Sequence, residues 1–124
     1  MFPVPSNTQS NTTKLVKQTR TPVVYNRLRG DFRISPEALK YGRYVSKDEY
    51  WGGEPDSSGL YGETICRHDP ILVFVVGKLQ ARAGTQTCDP RIFGVTYGTR
   101  YRIDHINGLE IVVTVDDYAW IVAK

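Results

Sequence analysis

Residues 99–115 read TRYRIDHINGLEIVVTV, and the folding of this stretch decides the class of the chain. Apolar and polar side chains alternate on both sides of Asn107-Gly108. That is the pattern of a β-hairpin, because Asn-Gly supplies the positive-φ turn that joins antiparallel strands. Two registers compete. A two-residue turn at Asn107-Gly108 pairs Asp104 with Ile111 and Arg102 with Val113, mixing charge and hydrocarbon on one face. A three-residue loop, Ile106-Asn107-Gly108 with Gly108 left-handed and bulged, pairs His105 with Leu109, Ile103 with Ile111 and Tyr101 with Val113. It gathers Tyr101, Ile103, Ile111, Val113 and Val115 on one apolar face. Because a one-residue slip turns every side chain over, the hydrophobic pattern predicts the bulged loop.

Outward from this hairpin, the second half of the chain reads as strands from Ile65 onward. Residues 118–122 form a final one, Arg91 to Val95 a short one bounded by Pro90 and Gly94, and Pro22 to Tyr25 an extended edge segment. The longest uninterrupted apolar run, Ile71 to Val76, is far short of the roughly 20 residues a bilayer-spanning helix needs. It is expected as a strand buried on both faces. The one helix signal is Ser35-Pro36-Glu37-Ala38-Leu39-Lys40-Tyr41-Gly42. Ser35 caps, Pro36 fits the first helical position, Glu37 complements the positive helix end, and Gly42 closes in a left-handed conformation. The expected fold is therefore mostly β: a small antiparallel barrel or sandwich with one short helix over Pro36–Tyr41 and an extended N-terminal arm.

The arm is residues 1–13, MFPVPSNTQSNTT, uncharged and without hydrophobic period. It cannot bury enough hydrocarbon to offset its ordering entropy, so it divides from a single β-rich domain over 14–124. The composition of the whole chain, 40% hydrophobic and 23% charged, is that of an ordinary soluble domain. No basic start followed by an apolar stretch marks a signal peptide, so the cytoplasm is the expected compartment of synthesis.

Charge is unevenly placed. Lys14, Lys17, Arg20, Arg27, Arg29, Arg33, Lys40, Arg43 and Lys47 are opposed only by Asp31 and Glu37, whereas every charge from Asp48 to Glu63 is negative. Such halves attract an opposite partner or another copy. The acidic part holds a long loop dense in turn formers between Trp51 and Gly62. Tyr50, Trp51 and Tyr61 flank it, as interface aromatics or as lids on the domain's own core.

Catalytic chemistry finds little support. Cys66-Arg67-His68-Asp69 and Cys88-Asp89 carry zinc-type donors, but structural zinc sites bring cysteines in close pairs. The two thiols read instead as small buried or half-buried side chains, with a single disulfide left open. A nucleophilic pair of Cys66 or Cys88 with His105 needs a third group to orient the base. No phosphate-cradling glycine loop occurs. No enzyme activity, metal or cofactor is expected. Cations and aromatics interleave at Arg27, Arg29, Phe32, Arg33, Tyr41, Arg43 and Tyr44, and again at Tyr97, Arg100, Tyr101 and Arg102. These are ingredients of single-strand nucleic-acid binding, opposed by a pI of only 8.9 and by the acidic loop.

The run Gly98 to Ile103, then Asn107-Gly108, then Ile111 to Asp117, resembles a segment of the double-psi β-barrels of the expansin and rare lipoprotein A kind. That resemblance implies cell-wall polysaccharide binding or cleavage, with Asp116 or Asp117 at the family's aspartate position. It covers about 20 residues, a pattern shared with many hairpins, and only residues 118–124 remain beyond it.

The arm and the aromatic-flanked loop point to a structural or interaction subunit of a larger assembly, with protein subunits, self or other, as partners. A virion component (capsid-stabilising, head–tail joining or tail protein) suits these features. The candidate interaction residues are Phe2, Val4, Lys14, Lys17, Arg20, Tyr50, Trp51 and Tyr61. The alternatives are the polysaccharide binder or hydrolase, and a nucleic-acid-binding module.

Overall fold

The structure, a computed structural model, describes residues 20–115. Strand β1 (Arg20–Asn26) is followed by helix α1 (Pro36–Ser46) and helix α2 (Pro70–Leu79), which runs into a 3-10 turn (Gln80–Ala83). Strands β2 (Pro90–Thr96), β3 (Tyr101–Ile106) and β4 (Leu109–Thr114) complete the order. β1 pairs antiparallel with β2, and β3 with β4, as separate two-stranded sheets. The fold is thus a mixture of helix and strand, and no closed barrel forms among the described residues. The expected arm and the strand expected at 118–122 lie outside them.

Helix α1 starts as its sequence dictates: Ser35 Oγ accepts the Ala38 N–H at 3.0 Å and Pro36 opens the first turn. It does not stop at Gly42. Gly42 lies buried inside the helix because the Trp51 ring packs where its Cβ would be, and Lys47 takes the left-handed position instead (φ 57°). The glycine serves close packing, at a cost in helix propensity.

The run 71–76 is not a strand but the body of α2. Asp69 accepts the N–H groups of Ile71 and Leu72 at 2.7 and 3.3 Å, and Pro70 sits in the first turn. This cap starts a helix in spite of the four β-branched residues Ile71, Val73, Val75 and Val76, whose propensity is weak and is overridden by packing. Leu72, Val75 and Val76 are buried and Leu79 partly so, a helical stripe, while Phe74 and Lys78 face out. The stripe meets Val24, Phe32, Ile34, Ala38, Leu39, Trp51, Ala83 and Cys88 in one core.

The hairpin also departs from expectation. Its turn is the two-residue Asn107-Gly108 with φ of 54° and 82°, and Ile106 pairs with Leu109, Asp104 with Ile111 and Arg102 with Val113. Positive φ at both turn residues is the form Asn-Gly favours. The outcome is that Glu110 faces the body of the protein, where an arginine awaits it.

Candidate functional site

β1 has one edge on β2; at the other, a strand is missing and side chains take its place. The Val24 N–H donates to the Arg67 carbonyl at 2.7 Å, and the Asn26 N–H donates to Glu110 Oε1 at 2.8 Å. Arg67 grips the same carboxylate with two N–H groups at 2.6 and 2.8 Å, and its guanidinium lies 3.8 Å over the Phe32 ring. The Glu110 side chain is 1% exposed. Burial alone would raise its pKa, but Arg67, the Asn26 amide and the nearby His105 outweigh burial and hold the carboxyl below its ordinary value. This forked pair fastens the hairpin to β1 and to the segment before α2. Beside it, fully buried Asn26 uses its whole side chain: Nδ2 donates to the carbonyls of Gly30 and Thr87, and Oδ1 accepts from Leu28 and Asp89.

With Glu110 inward, the hairpin's two faces are fixed. Tyr101, Ile103, His105, Glu110, Val112 and Thr114 share the face toward the body. The opposite face carries Arg102 and Asp104, paired at 2.8 Å, beside a row of hydrocarbon: Ile106, Leu109, Ile111 and Val113. Ile106 is 53% and Ile111 41% exposed. The inner face thus buries a carboxylate beside Tyr101, Ile103 and Val112, while the outer face leaves Ile106, Leu109 and Ile111 exposed.

The acidic loop is likewise tied down from within. Buried Arg33 is ion-paired with Asp56, and lies 3.6 Å from Glu63 and 3.7 Å from Asp31. The Asp56 carboxyl is displaced below its ordinary value mainly by the Leu60 N–H it accepts, against a smaller opposing effect of burial; Ser58 and Arg33 add to the lowering. Arg43 donates to the carbonyls of Trp51 and Gly53 and lies over the Tyr61 ring.

The candidate residues fall apart in space. Phe2, Val4, Lys14 and Lys17 are outside the described residues. Arg20 is exposed at the start of β1 and reaches the Gly94 carbonyl. Trp51 is buried under α1, and Tyr61 is half-buried against the core, bridged to Ile34. Of the three aromatics Tyr50 alone projects, at 76% exposure. Asp116 and Asp117 also lie outside the described residues.

Both cysteines are free; Cys88 is buried and Cys66 at the surface. No three His, Cys, Asp or Glu side chains converge on a metal position among the described residues. The histidine beside Cys66 is His68, at 3.4 Å from Nδ1, rather than His105. The Tyr101 hydroxyl lies 2.6 Å from the same nitrogen and is the stronger partner. The spacing Cys66-x-His68 was the signal for this contact, although nothing in sequence places Tyr101 beside it. Between α1 and α2 lies an open groove of about 540 Å³, lined by Lys40, Tyr41, Tyr44, Lys78 and Arg82 among others. No described helix is long and apolar enough to cross a membrane.

Comparison with family models, with curated proteins and with solved structures found no match in any of the three.

Proposed function

We propose that this chain is a structural subunit of a larger assembly, held to neighbouring protein subunits through contact surfaces rather than acting as a catalyst. The observation that carries this reading is the exposed aliphatic outer face of the hairpin. A small protein that leaves Ile106, Leu109 and Ile111 in water forgoes their burial unless the outer face is covered in use. Single exposed aliphatics are ordinary, but a contiguous strand face of them is the make-up of an interface centre. The N-terminal arm and the projecting Tyr50 supply further points of attachment. A virion, built from many small subunits, is an assembly of the kind that suits this part, an argument from architecture.

The test is the double substitution Ile106→Ser with Ile111→Ser in the protein expressed in its native setting. The variant is expected to keep its urea midpoint within about 0.5 kcal/mol of stability, as surface changes do, yet to be lost from the complex in which the parent chain is recovered. A parent chain recovered as a free monomer, or a variant retained in the complex as well as the parent, overturns the reading.

A further inference from the structure

We infer that the groove between α1 and α2 receives the acidic turn at residues 48–54 of a second copy of this chain, so that copies associate groove to loop. This rests on the assembly reading above and gives it a partner.

The argument begins with which charges the fold consumes. Arg33 is spent on Asp56 and its neighbours, Arg67 on Glu110, and Arg27 and Arg91 on Asp89. Among the described residues, no ion pair engages Lys40 or Lys78, and none engages Glu49 or Glu54. Lys40 and Lys78 face one another across the groove with Arg82, whose partner Glu37 is the one carboxylate of the lining. Glu49 and Glu54, both exposed, lie on either side of Tyr50 in the turn at residues 48–54 that leads into the long loop, with Tyr50 as its tip.

Both surfaces are aromatic as well as charged. The groove has Tyr44, largely exposed, and Tyr41, whose ring lies 6.0 Å from that of Phe74; Lys78 sits over the Phe74 ring. The tip offers Tyr50. It is offered in a set shape: Lys47 takes the left-handed conformation, the Asp48 carboxylate accepts the Tyr50 N–H at 2.9 Å, and the adjoining Trp51 is anchored in the core. A turn already fixed in this way gives up little freedom on docking. An exposed aromatic ring with Glu49 and Glu54 near it in sequence is complementary in charge to an aromatic cleft lined by lysines, and cation–ring contacts are favourable in either direction. Lys47 dilutes the acidity of the tip but stands before it, on the helix side. The cations are too few, and too closely matched by Glu37, for a polyanion such as nucleic acid to be the better occupant.

The area available is small beside the roughly 800 Å² per partner of a stable dimer, so each contact is weak and gains from repetition. Because the groove and the turn are different surfaces of the chain, their contact joins copies heterologously, which extends into rings or filaments.

Sedimentation velocity of the purified full chain tests this. The parent chain should associate with rising concentration, and raising salt from about 0.05 to 0.5 M should weaken association at least about tenfold. Lys40→Glu with Lys78→Glu should leave a folded monomer, as should Glu49→Lys with Glu54→Lys, each checked by circular dichroism. Mixing the two variants should restore association. A parent chain that stays monomeric at low salt, or variants that fail to rescue each other, overturns the groove-to-loop contact, as does self-association that both variants retain. Loss of an Ile106/Ile111 variant from the native complex would still stand in that case, so the two readings fail separately. If the parent chain is monomeric yet binds a fluorescent single-stranded oligonucleotide, and K40E/K78E does not, the occupant is nucleic acid and the proposal is wrong.

Discussion

Replacing Glu110 with glutamine should be among the most damaging single-atom changes this protein can suffer. The substitution keeps the size of the side chain and an oxygen to accept the Asn26 N–H. It removes the charge that Arg67 holds by two hydrogen bonds, and the Arg67 side chain is only 15% exposed. Breaking one side of a buried pair strands the other charge in low dielectric, which costs about 3–5 kcal/mol. The amide's retained hydrogen bond puts this case near the lower end, about 3 kcal/mol. For a domain with a total stability of about 5–15 kcal/mol that is a large share, and in urea it is a fall in midpoint of about 2 M at a slope of about 1.5 kcal/mol/M. Arg67→Met combined with Glu110→Met should recover most of the loss, since a buried pair replaced by hydrocarbon is often neutral. Urea unfolding of Arg67→Met, Glu110→Met and the double forms the cycle. A cost for Glu110→Gln below about 1 kcal/mol, the worth of a surface pair, would refute the argument. So would a double variant no more stable than the weaker single.

The same pair sets a pH dependence. The folded Glu110 carboxyl titrates below the ordinary 4.5, so its contribution is complete above that value and drains away as pH falls through the lower folded one; urea midpoints from pH 7 to 3 should decline in the acid limb, and Glu110→Gln should flatten the decline. Gly42→Ala should cost about 1–3 kcal/mol or more and shift tryptophan fluorescence, because the new methyl must displace the Trp51 ring; a helix-stabilising gain instead would contradict the packing. In native protein a disulfide-exchange reagent should modify Cys66 promptly. Cys88, whose thiol burial has pushed up to about 11, should react after unfolding only, and equal native rates would count against this.

The legible parts of the fold are those with local grammar. Ser35-Pro36-Glu37 announced α1, and Pro22 to Tyr25 and Arg91 to Val95 fell within β1 and β2. Asp69-Pro70 carried the same cap-and-proline grammar as Ser35-Pro36 and was masked by the six apolar residues after it, which suit a strand equally well. Only the i, i+3, i+4, i+7 stripe of Leu72, Val75, Val76 and Leu79 against exposed Phe74 and Lys78 separates the two, and burial decides that stripe. The hairpin was visible and its register was not. Hydrophobic patterning assumes that the inward face is the apolar one, whereas here it holds a glutamate whose arginine is 43 residues away. A long-range partner of that kind leaves no local trace. For the same reason the uneven charge along the chain overstated the free surface: Arg33 and Asp56, from opposite halves of the pattern, neutralise each other inside the molecule.

A strand edge closed by a carboxylate and a guanidinium is a reversible closure. While the hairpin is seated, the Asn26 amide is capped and no foreign strand can add to it. Were the hairpin unseated, as Glu110→Gln would favour, that amide would lose its acceptor, and the bared margin of β1 would be open to pairing by an extended segment.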